Sequence, residues 1–289
     1  GLAGTGLVLR NNGGDNKTIL ANGAFTFTTP IASGTGYVVT VLTQPTVLSQ
    51  TCTVTLGTGT VGGGIVTGVT VTCVTPSPRF AYVANFNDNS VSIYTANAAT
   101  GQLSLKGYVP AGTNPLMVSI DPTDSFVYVP NFGGNVSAYR INPGTGALTE
   151  VTGSPFAASF GTWSVTVDPS GKFVYATNKD AASVSAYKIT PGTGALVAVS
   201  GSPFAAGVSP RSVSVDPSGK YAYVANNGDG VTVLLTTVSA YAIDSGTGAL
   251  TPVPNSPFAA GSGPRSVTVD PSGKFVYVAN DGAPASVSA

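Results

Sequence analysis

Few side chains in this sequence could carry out chemistry, and the residue types that are missing decide much of what is possible. The chain of 289 residues contains no histidine, and Glu150 is its only glutamate. Histidine changes its charge near neutral pH and most often serves as a general base or a metal ligand. Neither a Ser-His-Asp triad nor a Cys-His pair can form without it, and we predict no catalytic residue.

Three residues interrupt an otherwise regular repeat and are our candidates for ligand binding. Trp163, Arg211 and Arg265 each lie five residues before a repeated Asp-Pro pair, where the preceding repeat has Leu116. A guanidinium group can hold a carboxylate or a phosphate, and the single tryptophan can stack on a sugar or an aromatic group. A structural role is the alternative: the arginines would pair with nearby carboxylates or carbonyls, and Trp163 would fill a gap between repeats.

The acidic residues of the repeat are predicted to be structural. Each stands before Pro in a tight turn, where its carboxylate can accept hydrogen bonds from backbone amides. These residues are Asp121, Asp168, Asp216 and Asp270. The asparagine that ends each YVAN-type segment is predicted to satisfy turn amides in the same way.

Metal ions and cofactors are not expected. The clusters at residues 85–89 and 226–230 are rich in oxygen ligands, but each holds a single carboxylate and neither has the ligand spacing of an EF-hand. We therefore predict no metal site and no cofactor.

The composition of the chain limits its partners. Charged residues make up 8% of the sequence and the formal net charge is zero, whereas typical soluble domains carry roughly 25% charged residues. Binding to a phosphate backbone requires a basic surface, so we predict no nucleic-acid partner. No apolar run is long enough for a transmembrane helix, and no membrane span is predicted.

The candidate residues belong to a repeat that starts near residue 76. Related segments of the type FAYVAN recur about every 50 residues and end at Asn85, Asn131, Asn178, Asn226 and Asn280. Alternating apolar and polar residues between Gly- and Pro-containing turns predict four short strands in each repeat. Four strands in a repeat of this length are typical of a β-propeller blade.

The first 75 residues form a different region. Only Arg10, Asp15 and Lys17 carry charge there, and Val/Thr alternation between Gly- and Asn-containing turns predicts the short strands of a β-sandwich. We therefore predict an all-β protein with two domains, a sandwich over residues 1–75 and propeller repeats over residues 76–289.

The two cysteines of the chain both lie in strand-like stretches of the first region. Cys52 and Cys73 are expected to form a disulfide, because a small domain with few charges gains from a covalent link and no metal-ligand spacing is present. Two buried free thiols are the alternative. A disulfide would indicate an oxidising compartment.

Three further motifs recur within the repeat. They are YVAN at Tyr82, Tyr223 and Tyr277, VDPSGK at Val167, Val215 and Val269, and GTGAL at Gly144, Gly192 and Gly246. In these motifs the chain resembles the YVTN-type seven-bladed β-propeller family, which includes lactonase-fold proteins similar to 6-phosphogluconolactonase. The resemblance implies the propeller fold and either lactone hydrolysis or a surface or binding role, since fold alone does not decide function.

The same resemblance carries two expectations about the rest of the protein. Enzymatic members are expected to place His and Glu with Arg in the central channel, whereas this chain lacks His and its Glu150 is predicted to lie on an outer strand. The N-terminal region resembles an immunoglobulin-like sandwich of the kind attached to such propellers in secreted or surface-anchored bacterial proteins.

The number of repeats predicts an incomplete ring. The repeat begins near Arg79 at the second strand of a first blade and stops at Ala289 inside the third strand of a fifth, so about four and a half blades are present. We expect either that the sequence is part of a longer protein or that the open edges pair with another copy.

Two functions of different classes are compatible with these features. Low charge and open strand edges favour a non-catalytic protein, extracellular, on the cell surface or periplasmic, that binds, adheres or assembles into a matrix or filament. Its partners would be other copies through the open β edges, or a surface glycan or protein. The alternative is a lactonase-like hydrolase of a sugar or acyl lactone, in which Arg211 or Arg265 would stabilise the oxyanion. We expect the first.

Overall fold

A computed structural model describes residues 1–2, 5–45, 50–74, 79–98, 100–230 and 236–289. All its regular elements are β-strands, which confirms the predicted all-β fold class. The chain divides into two compact units, Gly1–Ser77 and Pro78–Ala289, and the predicted boundary at residues 75 and 76 lies outside the described residues. Within the described ranges there is no helix of the length and hydrophobicity needed to cross a membrane.

The first unit contains two antiparallel sheets. Its strands are β1 (Leu7–Asn11), β2 (Asp15–Ile19), β3 (Gly36–Thr43), β4 (Thr51–Thr55), β5 (Thr58–Thr60) and β6 (Thr70–Val74). One sheet has the order β2-β1-β3-β5, and β4 pairs with β6 in the other. The immunoglobulin-like character of this unit stays a prediction.

The predicted disulfide is present and lies in the core of the first unit. Cys52 and Cys73 are paired opposite each other in β4 and β6 and are joined by an S–S bond. Both are buried against Leu7 and Leu9 of β1, whose alternate residues face inward as in a half-buried strand. Linking residues 21 positions apart removes entropy from the unfolded chain and stabilises the unit by about 3 kcal/mol.

The second unit consists of five successive sheets, which we call blades 1 to 5. Blades 1 and 5 have three described strands, and blades 2, 3 and 4 have five. The strands are β7 (Arg79–Asn85), β8 (Ser90–Ala96) and β9 (Leu103–Pro110) in blade 1; β10 (Ser119–Ile120), β11 (Phe126–Asn131), β12 (Asn135–Ile141), β13 (Leu148–Glu150) and β14 (Phe156–Ala157) in blade 2; β15 (Thr162–Val167), β16 (Phe173–Asn178), β17 (Ser183–Ile189), β18 (Leu196–Ala198) and β19 (Phe204–Ala205) in blade 3; β20 (Pro210–Val215), β21 (Tyr221–Asn226), β22 (Thr237–Ile243), β23 (Leu250–Pro252) and β24 (Phe258–Ala259) in blade 4; and β25 (Pro264–Val269), β26 (Val276–Asn280) and β27 (Ser286–Ser288) in blade 5.

The fifth strand of a complete blade is the second half of a divided outer strand. In blade 3, β18 pairs with one end of β17, and the two-residue strand β19 pairs with the other end of the same strand. The four-strand prediction treated this second half as a connection, because Phe204–Ala205 is too short to show a strand pattern in the sequence.

The repeated aspartates hold the turn between the first and second strands of their blade, as predicted. In blade 3, one oxygen of Asp168 accepts hydrogen bonds from the backbone amides of Lys172 and Phe173 at 2.8 and 2.7 Å, and the other accepts from the amide and hydroxyl of Ser170. Asp121, Asp216 and Asp270 accept equivalent bonds. Their carboxylates are fully used in this structural role.

The prediction for the repeated asparagines is wrong. The side-chain amide of Asn226 donates to the hydroxyls of Thr237 and Ser239 on the neighbouring strand β22, at 3.0 and 2.9 Å. It therefore joins two strands inside the blade instead of satisfying turn amides. Asn226 is fully buried, and its NH₂ group finds its hydrogen-bond partners on the adjacent strand.

Neighbouring blades are joined by buried tyrosine hydroxyls. Tyr175 of β16 donates to the carbonyl oxygen of Gly248 in the next blade at 3.0 Å, and Tyr128 donates to Gly194 at the same distance. Gly248 has a φ of +79°, and a Cβ atom there would collide with the ring of Phe173. The second glycine of each GTGAL motif therefore allows both the turn and the close approach of the blades.

Removing one of these hydroxyls should destabilise the propeller unit. Tyr175→Phe leaves the Gly248 carbonyl without its partner between two packed blades, so we expect the free energy of unfolding to fall by roughly 1–3 kcal/mol. Urea unfolding followed by the fluorescence of Trp163, the only tryptophan, measures it. The control is Tyr221→Phe, because Tyr221 is 43% exposed; an equal loss in both variants would contradict the assignment.

The aspartate turns should make the stability of this unit depend on acid pH. Burial raises the pKa of Asp216, but hydrogen bonds from Ser218, Tyr221 and Lys220 outweigh it and hold the pKa below its usual value. The carboxylate therefore stabilises the fold fully above the unfolded pKa of about 4 and loses this contribution as pH falls through the lower folded pKa.

We expect the free energy of unfolding to decrease more steeply between about pH 5 and pH 3 in the native protein than in Asp216→Asn. Urea unfolding at a series of pH values, followed by Trp163 fluorescence, tests this. Asp88→Asn, at an exposed turn residue, should keep the native pH profile. Parallel profiles for native protein and Asp216→Asn would show that the carboxylate makes no such contribution.

Candidate functional site

The candidate ligand-binding residues all occupy the same irregularity in the first strand of their blade. In blade 3, Thr162 pairs with Asn178 and Ser164 pairs with Thr177, so Trp163 between them has no partner residue. This is a β-bulge, a feature that re-aims a side chain and is common beside active sites. The amide of Ser164 donates to the hydroxyl of Thr177 at 3.1 Å, which helps to hold the irregular register.

The same bulge recurs in the two following blades. The register shifts between Pro210 and Ser212, which leaves Arg211 as the extra residue of β20. It shifts again between Pro264 and Ser266, which leaves Arg265 as the extra residue of β25.

The first strands that carry these bulges lie side by side in successive blades, as the innermost strands of a propeller do. The amide of Val213 in β20 donates to the hydroxyl of Ser164 in β15 at 3.4 Å, and the amide of Val267 in β25 donates to Ser212 at 3.2 Å. The sequence candidates are therefore brought together at one end of three adjacent strands.

The loops after the second strands bring further charges to the same place. The backbone amide of Lys179, which follows β16, donates to the carbonyl of Gly161 at 2.8 Å, and the amide of Asp281, which follows β26, donates to Gly263 at 2.9 Å. The loop after the second strand of the blade therefore lies next to the residues that precede the bulge of the same blade. Sequence reasoning missed these residues, although their signal was available: they directly follow the repeated asparagine.

Arg211 lies on the face of Trp163. Its guanidinium carbon is 4.2 Å from the centre of that ring, within the range of a favourable cation–π contact. The Arg211 Nε–H is buried and has no hydrogen-bond partner among the described residues. The site therefore holds a positively charged group with donor capacity left for an anion or a polarised carbonyl.

An aromatic surface extends from the tryptophan. Phe132 packs edge-on against Trp163 with ring centres 6.1 Å apart, and Phe160 packs edge-on against Phe132 at 5.4 Å. Phe160 is exposed, and the Lys179 ammonium lies 5.9 Å from the ring centres of both Phe132 and Trp163. Such a surface suits the ring of a sugar placed beside a cation.

Two ion pairs accompany Arg211. Lys179 binds Asp180 at 3.0 Å, and Arg265 binds Asp281. Arg265 thus adopts the pairing that we gave as its structural alternative, whereas Arg211 forms no salt bridge within the described chain. Of the two predicted arginines, Arg211 is the one without an ion pair in the described chain.

The charge balance around Arg211 is reflected in its pKa. Burial, and to a smaller extent the neighbouring charge of Arg265, lower the pKa of Arg211, while Asp281 and Asp180 oppose the shift. The guanidinium remains protonated at all physiological pH values. Both carboxylates therefore act electrostatically on the guanidinium of Arg211.

Among the described residues, no three His, Cys, Asp or Glu side chains lie close enough together to hold a metal ion. Glu150 ends the outer strand β13, in the position that the sequence predicts. The groups that the described site offers are the guanidinium of Arg211, the two aspartates and the aromatic surface.

Comparisons with known proteins agree on one family. The model of the family described as "Lactonase, 7-bladed beta-propeller" matches residues 50–163, 153–237 and 235–283. A curated 6-phosphogluconolactonase of Formosa agariphila is 33% identical over 82 residues, which cover 27% of this chain and 23% of the relative.

Solved structures show the same fold at low identity. A protein of Bacteroides uniformis provisionally named a 6-phosphogluconolactonase superposes with a TM-score of 0.62 at 18% identity, covering 74% of this chain and 64% of that one. The periplasmic gluconolactonase of Pseudomonas aeruginosa gives 0.58 at 22% identity, covering 70% and 60%. The chain therefore spans less than two thirds of the length of these relatives.

These comparisons correct the functional expectation. The family model and the curated relative both concern lactonases, so the prediction of a non-catalytic adhesion or filament protein is wrong and its alternative, a lactonase-like hydrolase, is favoured. The expectation rested on the low charge, the open strand edges and the missing histidine, and none of these excludes hydrolysis with the help of a guanidinium and carboxylates.

The free edge of Arg211 should bind small anions in contact with Trp163. We expect the fluorescence of Trp163 to change and then reach a plateau as inorganic phosphate is added at constant ionic strength. The reason is that a bound anion would shift the Arg211 guanidinium relative to the Trp163 ring. Arg211→Ala should abolish the response. Arg140→Ala, which removes another arginine stacked on an aromatic ring, that of Phe126, should keep it; a response that survives in Arg211→Ala would exclude this site.

Proposed function

The chain belongs to the lactonase family of seven-bladed β-propellers, and on this basis we propose that it hydrolyses a sugar lactone at the cluster around Arg211. The relatives are a 6-phosphogluconolactonase and a gluconolactonase, which supports a sugar lactone as the substrate class. The observation that carries the proposal is Arg211, which stacks on Trp163, forms no ion pair in the described chain and has an Nε–H without a hydrogen-bond partner.

Arg211 is proposed to bind the lactone carbonyl. Hydrolysis turns this carbonyl oxygen into an oxyanion, and fixed donors aimed at that oxygen are usually the largest source of acceleration in such reactions. The stack on Trp163 fixes the plane of the guanidinium, so that its free N–H group is oriented before the substrate arrives. The aromatic surface of Trp163 and Phe132 would then support the sugar ring.

Asp180 and Asp281 are the candidates for the general base. One of these carboxylates removes a proton from water while the water oxygen forms a bond to the carbonyl carbon. The tetrahedral oxyanion then re-forms the carbonyl, the bond to the ring oxygen breaks, and the leaving oxygen takes the proton back from the carboxylic acid. The product is the open hydroxy acid, and the aspartate is a carboxylate again once the leaving oxygen has taken the proton.

We also propose that the protein works outside the cytoplasm, in a periplasmic or extracellular compartment. The disulfide between Cys52 and Cys73 supports an oxidising environment, and the periplasmic gluconolactonase of similar fold is compatible with it.

Lactone hydrolysis can be tested directly with D-glucono-1,5-lactone in a pH-stat, with the spontaneous rate subtracted. We expect turnover by the native protein and a loss of about 100-fold in Arg211→Ala, the size found when an oxyanion donor is removed. Arg140→Ala should retain native turnover, since Arg140 lies on β12 away from the bulges.

The identity of the base follows from the same assay with Asp180→Asn and Asp281→Asn. The variant of the true base should lose most of its turnover, and the other should lose much less. Turnover that is unchanged in Arg211→Ala would overturn the placement of the site, and no turnover by native protein on this lactone or on 6-phosphoglucono-1,5-lactone would overturn the proposed function.

A further inference from the structure

The aromatic surface of the candidate site continues past the two rings that the proposed function uses. Arg211 stacks on Trp163, and the ring of Phe132 packs edge-on against Trp163. Phe160 packs against the far side of this pair, through Phe132. Trp163 and Phe160 make no direct ring contact in the described part of the chain, so the three rings form an extended row that leads away from Arg211.

The last ring of this row is open to solvent. Phe160 is 61% exposed, more than any other phenylalanine that the structure describes. An apolar side chain gains free energy when a ligand covers it. Phe160 therefore offers binding energy that the protein does not use for its own packing.

The backbone on either side of Phe160 is held firmly. The amide of Ala158 donates to the carbonyl of Gly134 at 3.0 Å, and the amide of Gly161 donates to the carbonyl of Phe132 at 3.1 Å. A Cβ atom on Gly134 would lie 3.3 Å from the Cα atom of Phe160, so the two loops are in direct contact. A ring presented from a fixed backbone loses little conformational entropy when a ligand binds to it.

The blade structure does not require an aromatic residue at this position. The next residue has a positive φ in four blades, which identifies the equivalent loop position in each: Asn114, Gly161, Ser209 and Gly263. In blades 2, 4 and 5 the position of Phe160 is occupied by Thr113, Val208 and Ser262. Phe160 is therefore specific to the site in blade 3, as Trp163 is.

The charge beside the row favours a hydroxylated ligand over a hydrocarbon. The Lys179 ammonium lies 5.9 Å from the ring centres of both Phe132 and Trp163 and donates a hydrogen bond to Asp180 at 3.0 Å. An ammonium group has three N–H donors, and a hydrocarbon chain laid over the rings would remove water from them without replacing its hydrogen bonds. A sugar ring can place its C–H groups on the aromatic rings and its hydroxyls on the ammonium.

We infer that the lactone hydrolysed at this site carries a second sugar ring, so that the substrate class is the lactone of an oxidised disaccharide. The lactone ring lies on Trp163 beside Arg211, and the second ring covers Phe160. The inference rests on the proposed function for the position of the lactone ring. Phe160 is then a specificity residue, because it binds a part of the substrate that does not react.

Binding of inert lactams tests this apart from catalysis, because a lactam keeps the ring carbonyl but replaces the ring oxygen with nitrogen. The probes are glucono-1,5-lactam and the corresponding lactams of cellobiose and gentiobiose, which join the second sugar through different hydroxyls. Each is titrated into the whole chain, and the fluorescence of Trp163 is followed. We expect at least one disaccharide lactam to bind roughly 3- to 10-fold more tightly than glucono-1,5-lactam, the gain from one further ring contact.

The preference should depend on the ring of Phe160. In Phe160→Ala the ratio of the two dissociation constants should fall to about one, whereas Phe160→Tyr, which keeps an aromatic ring, should retain the preference. The matched control is Phe275→Ala. Phe275 is 56% exposed and precedes β26, at the end of that strand away from Asp281, so this variant should also retain the preference.

Three results would overturn the inference. They are no tighter binding of either disaccharide lactam, a preference that survives in Phe160→Ala, and tighter binding of the lactam analogue of N-hexanoyl-homoserine lactone, which would assign the row to an acyl chain. The proposed function has a separate readout in the turnover of D-glucono-1,5-lactone. Turnover combined with equal lactam affinities would therefore remove the second sugar ring alone and leave the proposed function in place.

Discussion

The hydroxyl of a buried tyrosine, donated to a backbone carbonyl of the neighbouring blade, is the interaction on which the second unit depends. Each complete interface has one such bond in each direction: Tyr175 reaches forward to Gly248, and Tyr241 reaches back to Ala205 at 2.7 Å. Burial, with smaller effects from Asp168 and Asp244, raises the pKa of Tyr175, so the hydroxyl remains a donor at any physiological pH. These bonds fix the distance and the rotation of one blade against the next.

The site follows from that fixed geometry. Because the first strands of blades 3, 4 and 5 lie side by side, their bulges are neighbours, and side chains distant in sequence come into contact. Trp163 and Arg211 stack only because β15 and β20 are neighbours. The turn aspartates and strand-joining asparagines keep each blade rigid behind the site, so the guanidinium is positioned by the sheets instead of by a mobile loop.

Much of this could be predicted from the sequence, for reasons that are local. Strand alternation and the Asp-Pro turns are encoded by adjacent residues, which is why the blades, the role of Asp168 and the pairing of Cys52 with Cys73 were predicted. The bulge could not be, since it arises from how Pro210 and Ser212 pair with another strand. The sequence also could not predict which arginine lacks an ion pair. The answer depends on Asp281, a residue that only folding brings next to Arg265.

The repetition of the bulge separates what holds the protein together from what it recognises. Residues that set the blade geometry occur in every repeat, whereas the bulge residue is Trp163 in one blade, Arg211 in the next and Arg265 in the third, on almost the same backbone. Since the bulge residue has no partner in the ladder, its side chain can change from aromatic to cationic without disturbing strand pairing. One scaffold of this kind can therefore acquire a new ligand by point substitution, blade by blade, while its stability stays with residues that selection on the ligand does not touch.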